Sequence, residues 1–118
     1  MQSNRVRKRP TDQDLFQAID TAIREERLYA DNTLQRRDIL LRFGLRRQHL
    51  NAILSQYAYG QSFPAYINTI RLQEAEKLLT EHPEMTITQI ASTVGLSLAN
   101  FRHLFRQRFG LTPSEFRG

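Results

Sequence analysis

The chain has 118 residues, 40% of them hydrophobic and 25% charged, enough apolar material for one globular domain and too much for wholesale disorder. With no cysteine, it can have no disulfide scaffold, thiolate metal site or cysteine nucleophile. No apolar run approaches the roughly 20 residues that cross a bilayer, and no apolar stretch follows Met1-Gln2-Ser3-Asn4-Arg5 to make a secretory signal, so the expected location is the cytoplasm.

The net charge of +5 is unevenly spread. Residues 1–10 carry +4, residues 11–31 carry −4, residues 32–73 carry +5, residues 74–84 carry −3 and residues 85–118 carry +3. Arginine outnumbers lysine 15 to 2, which favours planar, multidentate recognition of phosphate or bases. Two basic blocks between acidic segments raise the expectation of a nucleic-acid partner.

Every periodic segment reads as helix, and strict alternation bounded by turns is missing. Thr11 with Asp14 makes a capping box, and Leu15, Ile19, Ala22 and Ile23 recur at helical spacing, predicting a helix to about Arg27. A short connection, Leu28 to Asn32, precedes a helix from about Gln35 to Arg42 that buries Ile39, Leu40 and Phe43. Gly44 ends it, as glycine does just past a helix terminus. The next helix runs from about Arg47 to Gln56, with Leu50, Ile53, Leu54 and Tyr57 inside, until Gly60 breaks it. Pro64 suits the first turn of a long helix, which stops before His82-Pro83. About 18 residues there span some 27 Å. Thr86 with Gln89 is a second capping box, followed by Ile87, Ile90, Ala91 and Val94 at helical spacing. After Gly95, Ser97 caps a helix from Leu98 to Arg108 that buries Phe101, Leu104, Phe105 and Phe109. Ser114 to Arg117 adds a last turn.

The second half of this plan repeats the first. With Gly44 set on Gly95, the pattern returns 51 residues later: Ile39 meets Ile90, Phe43 meets Val94, Leu45 meets Leu96, Leu50 meets Phe101 and Leu54 meets Phe105. Each unit is a short helix, a glycine-containing turn and a second helix, which is a helix-turn-helix written twice. The expected fold is all-α, with about seven helices: a first unit at about 34–62, a linker helix at about 64–81, and a second unit at about 85–117. Residues 1–10 form a basic arm or linker tail ahead of a domain at 11–118.

The second unit carries Ile90-Ala91, Val94-Gly95-Leu96-Ser97, Phe101, Leu104-Phe105-Arg106, Phe109 through Pro113, and Phe116-Arg117. The run Tyr66-Ile67-Asn68, Arg71-Leu72, Ala75 and Leu78-Leu79 lies between the units. Together these residues resemble the DNA-binding domain of the AraC/XylS family of bacterial transcription regulators, over about residues 12–117. The first unit departs from the family pattern at Arg46, where a capping serine is usual, and at Leu40, which replaces the small residue seen at Ala91. The resemblance implies a double-stranded DNA partner at a promoter or operator, and RNA polymerase as a further one. It also implies a sensor or signalling domain outside this chain, membrane-linked in some regulators.

Helical geometry selects the outward faces independently of the resemblance. At 100° per residue, with Phe101, Leu104, Phe105 and the Arg108 stem inward, Ala99, His103 and Arg106 point out and Arg102 flanks them. With Leu50, Ile53, Leu54 and Tyr57 inward, Gln48, Ala52 and Ser55 point out, Asn51 flanks, and Arg47 sits near the start. The N-terminal half of a recognition helix enters the major groove. The expected DNA-binding residues are therefore Arg46, Arg47, Gln48, Asn51, Ala52, Ser97, Ala99, Arg102, His103 and Arg106. Asn or Gln can pair bidentately with adenine and Arg with guanine, while an alanine methyl can meet that of thymine. Arg106, a turn later, suits a phosphate.

Several side chains keep two readings. Arg36 and Arg37 either reach the DNA backbone or pair with Asp38 and Asp31, and the basic arm either tracks a groove or is a linker tail. His49, His82 and His103 lie on separate elements with no carboxylate at ligand spacing, so no metal is expected. No cofactor or enzyme activity is expected either, because no phosphate-cradling loop, positioned nucleophile or motif-borne carboxylate pair is present. A helical-repeat protein-interaction module and a non-specific nucleic-acid chaperone remain the alternatives.

Overall fold

The computed structural model describes residues 9–118, so nearly all of the basic arm, including Arg5, Arg7 and Lys8, lies outside the described residues. Among the described residues there are seven α-helices and no strand: α1 (Asp12–Glu25), α2 (Arg36–Phe43), α3 (Arg47–Tyr57), α4 (Phe63–Glu81), α5 (Ile87–Thr93), α6 (Leu98–Phe109) and α7 (Pro113–Arg117). None is long and apolar enough to cross a membrane.

Local chemistry explains most boundaries. The Thr11 side chain accepts from the Asp14 N–H while the Thr11 N–H donates to the Asp14 carboxylate, both at 3.0 Å. Thr86 with Gln89 and Thr112 with Glu115 repeat this reciprocal cap ahead of α5 and α7, satisfying donors that a helix start leaves orphaned. The first helix ends at Glu25, two residues short of the expected Arg27. Arg27 instead adopts φ 58, the left-handed region, and leads into a 3-10 turn at Leu28–Ala30. The long helix begins one residue earlier than expected, at Phe63, with Ser62 as its cap.

The centre of the molecule is α4. At 100° per residue, Phe63, Tyr66, Ile67 and Ile70 fall on one face, and Leu72, Ala75 and Leu79 on the nearly opposite one. All seven are buried, as a helix covered on both sides requires. A single core therefore runs through both units, with Leu50 and Leu54 from α3, Phe101 and Phe105 from α6, and Ile19 and Ile23 from α1. The Tyr66 hydroxyl donates to Asp20 on α1 at 2.6 Å. Burial first, and then that carboxylate, holds its ionisation far above the ordinary tyrosine range.

The segment after α1 is held by α4 and also touched by the second unit. Arg71 Nε donates to the Tyr29 carbonyl at 2.7 Å, and its Nη2 donates to that of Asp31 at 2.9 Å. A Cβ on Gly95, in the turn between α5 and α6, would lie 2.6 Å from the Tyr29 carbonyl oxygen and 2.9 Å from that of Ala30. The segment after α1 is thus clamped by the linker helix and touched by the backbone of the second turn. Only a glycine, here at φ 84, permits that approach.

Candidate nucleic-acid interface

Both recognition helices are anchored by apolar residues at helical spacing. Leu50, Ile53 and Leu54 of α3 are fully buried, as are Phe101 and Phe105 of α6. Phe105 packs edge-on against Phe101 and Phe116 and at 4.4 Å against Phe109, measured between ring centres. The helices leave their turns in the same way, since the Leu45 N–H donates to the Leu40 carbonyl at 3.0 Å and the Leu96 N–H to the Ala91 carbonyl at 2.9 Å. These two bonds are equivalent under the 51-residue repeat. The leucine after each glycine folds back on the helix it has left, which sets the angle of the next one.

The opposite faces are open. Gln48, Asn51, Ala52 and Ser55 on α3 and Ala99, Arg102, His103 and Arg106 on α6 are exposed, as is Arg47 at the start of α3. Arg46 and Ser97 occupy the position just before each helix and are exposed too; Ser97 Oγ accepts from the Asn100 N–H at 3.1 Å, whereas the Arg46 side chain caps nothing. All ten expected side chains therefore stand on the solvent side of the two recognition helices. Arg108, whose stem is expected inward, is exposed as a whole residue, with its guanidinium 5.6 Å from the centre of the Phe109 ring.

The arginines divide by what they touch. Arg24 is paired with Asp20, and Arg42 makes a two-pronged pair with Glu26 beyond the end of α1. That contact holds the Glu26 carboxyl below the ordinary carboxylate range. Arg71 is spent on backbone carbonyls, as is Arg117, which donates to those of Met85 and His82. By contrast, Arg46, Arg47, Arg102 and Arg106 make no ion pair among the described residues. Arg106 still draws Glu115 below its ordinary value, behind the larger effect of the Thr112 hydrogen bonds. Arg46, Arg47, Arg102 and Arg106 are thus free to meet an anion from outside, while Arg24, Arg42, Arg71 and Arg117 are neutralised or used to brace the fold.

Neither Arg36 nor Arg37 pairs with the nearby acids. The Asp38 carboxylate accepts the Gln35 N–H at 2.8 Å, and Asp31 accepts from both the N–H and the hydroxyl of Thr33. Two of the three histidines lie against carboxylates: His49 Nε2 is brought by the fold to 2.7 Å from Asp12, and His82 Nδ1 lies 2.9 Å from Glu84, two residues on. No cluster of three or more potential metal ligands occurs among the described residues. The bracing roles of Arg71, Arg117 and Gly95 escape a sequence reading. The available signal at Arg71 is a guanidinium set between Ile70 and Leu72, on a helix otherwise apolar on both sides.

A family profile described as a helix-turn-helix domain matches residues 40–118, which takes in α3 through α7 whole. The chain belongs to the AraC-type helix-turn-helix family. A protein named "Probable transcription factor PqrA" from Proteus vulgaris is 36% identical over 75 residues, 63% of this chain and 60% of that protein. The chain spans between 16% and 60% of the curated relatives it matches. An AraC-type transcriptional regulator from Chromobacterium violaceum superposes with a TM-score of 0.68 at 26% identity, covering 86% of this chain and 93% of the other. The C-terminal domain of the two-component response regulator yesN from Fusobacterium nucleatum shares the fold with a TM-score of 0.74 at 23% identity, covering 87% and 97%. AraC-type domains are DNA-binding modules of transcription regulation rather than enzymes. The first unit carries that architecture as fully as the second, although the family profile begins inside α2.

Proposed function

We propose that this AraC-type domain reads double-stranded DNA with α3 and α6 in two successive major-groove segments. Arg47, Gln48, Asn51 and Ala52 would face bases from the first unit, and Ala99, Arg102 and His103 from the second. Arg46, Ser97 and Arg106 would hold the phosphate backbone. The observation that carries this reading is the set of arginines at the two reading helices: Arg46, Arg47, Arg102 and Arg106 make no ion pair among the described residues, whereas Arg24, Arg42, Arg71 and Arg117 are committed within the fold. The 19 residues of α4 span about 28 Å, commensurate with the 34–36 Å between major grooves on one side of B-DNA once each unit's packing offset is added. The domain would act as the DNA-reading part of a longer cytoplasmic or membrane-linked regulator with its own sensor region, positioning RNA polymerase at a promoter.

Selection from a random double-stranded library should return two boxes about one helical turn apart, without palindromic symmetry. Adding about five base pairs between the boxes turns one to the far side of the duplex, and binding should fall to that of a single unit. Arg102→Ala and Asn51→Ala should each relax base preference locally, at about 1–3 kcal/mol on the best site, while Arg106→Ala weakens all sequences alike. Undiminished binding after the five-base-pair insertion would overturn two-groove reading. A base preference changed only by Arg106→Ala would reverse the facing assigned to α6.

A further inference from the structure

Beside the first recognition helix, a cavity of about 590 Å³ opens between α2, the start of α3 and the start of α4. That volume lies in the range of small-molecule sites, roughly 300–1,000 Å³. Its wall carries four guanidinium groups, from Arg36, Arg37, Arg47 and Arg71, and its apolar lining includes Leu40, Phe63 and Ile67. Arg36, Arg37 and Arg47 form no ion pair among the described residues. The two acids that could have neutralised this end of α2 are engaged elsewhere, Asp38 by the Gln35 N–H and Asp31 by Thr33. Arg36 Nε is shielded from solvent and meets no acceptor among the described residues. A buried donor of this kind normally has a partner.

We infer that this cavity binds a small amphipathic organic anion, with a carboxylate held by the Arg36, Arg37 and Arg47 guanidiniums and a flat apolar body laid against Leu40, Phe63 and Ile67. The choice between a ligand and a bare phosphate rests on the lining. A backbone phosphate would satisfy the cations and leave the apolar floor unused, whereas a planar carboxylate matches the guanidinium forks and its hydrocarbon covers the floor. Because Arg47 is also the exposed first residue of α3, where the DNA-reading proposal places a contact, an anion seated here draws that side chain away from DNA. Ligand and DNA therefore compete. The competition rests on the DNA-reading proposal, and the binding itself does not.

Three probes separate the sources of affinity: 2-naphthoate, the uncharged 2-naphthylmethanol, and inorganic phosphate, each titrated into the ¹⁵N-labelled chain. Naphthoate should saturate with its largest amide shifts at Leu40, Arg47, Phe63 and Ile67, at a Kd of about 1 mM for a ligand of this size. Arg36→Gln should weaken it on the order of tenfold, the loss of a charge-assisted hydrogen bond. Arg37→Gln, at an exposed position with no structural partner, supplies the same readout if Arg36→Gln disturbs the fold. Naphthylmethanol bound as tightly as naphthoate would reduce the site to an apolar patch, and phosphate bound as tightly would make it a backbone seat. Either result overturns the proposal, as do shifts centred elsewhere. In the second arm, naphthoate should raise the apparent Kd for a selected DNA duplex, and the Arg36→Gln and Arg37→Gln variants should blunt that rise. Naphthoate bound with duplex affinity unchanged overturns the competition. A chain that binds naphthoate but no duplex of any sequence would instead defeat the DNA reading and leave the anion site standing.

Discussion

The two helix-turn-helix units have the same geometry and reach it by different means. In the second, the instructions are local: a reciprocal cap starts α5, Ser97 caps α6, another reciprocal cap starts α7, and Phe101, Phe105, Phe109 and Phe116 pack on one another. In the first, Asp38 caps the start of α2 locally, but Arg46 offers α3 no side-chain cap, and further support comes from across the chain. Glu26 holds Arg42, Asp12 sits against His49, and α1 packs along α3. A unit that caps its own helices forms its turn from short-range interactions, whereas one held by distant partners forms it only when the whole domain folds.

The largest test of this contrast is in the core. Phe105→Ala removes the ring around which the second unit's aromatic cluster is built, and should cost about 3–5 kcal/mol in a thermal or urea melt. One cooperative transition is expected, because the core is continuous through α4. A melt that split into two transitions would show the units to be independent. Next comes the pair of turn glycines. Gly44→Ala and Gly95→Ala both place a side chain at positive φ, which costs roughly 1–2 kcal/mol. At Gly44 a Cβ meets open space, while at Gly95 it meets backbone oxygens that cannot rotate away. Gly95→Ala should therefore exceed Gly44→Ala by about 1–3 kcal/mol. Equal losses would mean that the backbone contact between the units is not tight.

A smaller effect tests the missing cap. Ser97→Ala should destabilise by about 1 kcal/mol, and Arg46→Ser should stabilise the first unit by up to a similar amount, while weakening DNA binding if Arg46 contacts phosphate. An Arg46→Ser variant that melts lower than the wild type would remove capping from the account. The smallest effect concerns pH. Glu26 and Glu115 are held below an ordinary value of 4.5 by Arg42 and by Thr112 respectively. A depressed folded pKa adds stability that is fully present above the unfolded value and is lost as pH falls through the folded one. The melting temperature should thus decline below about pH 4.5, and Glu115→Gln, which keeps the capping geometry, should make the decline shallower. An unchanged slope would assign the acid limb to other groups.

Helix identity, the 51-residue repeat and the exposed faces of α3 and α6 were legible because they depend on periodicity. Apolar residues at i, i+3, i+4 and i+7 define the inside whatever they pack against, so the ten expected contact residues could be named and all of them stand on the open side. Boundaries marked by capping chemistry were also legible: Thr11, Thr86 and Ser97 announce their helices within four residues. The end of α1 was not, because a left-handed Arg27 has no local signature. Partnerships between distant charges were equally hidden. The sequence by itself determined an all-helical chain built on a doubled helix-turn-helix with two polar outward faces, since those follow from interactions within a few turns of helix. Only the tertiary structure decided which arginines are consumed by carbonyls and carboxylates and which remain free, and that Gly95 must touch the carbonyls of Tyr29 and Ala30. Apart from the Arg24–Asp20 pair within α1, those facts join residues from 16 to 66 positions apart, and no local periodicity carries information over that distance.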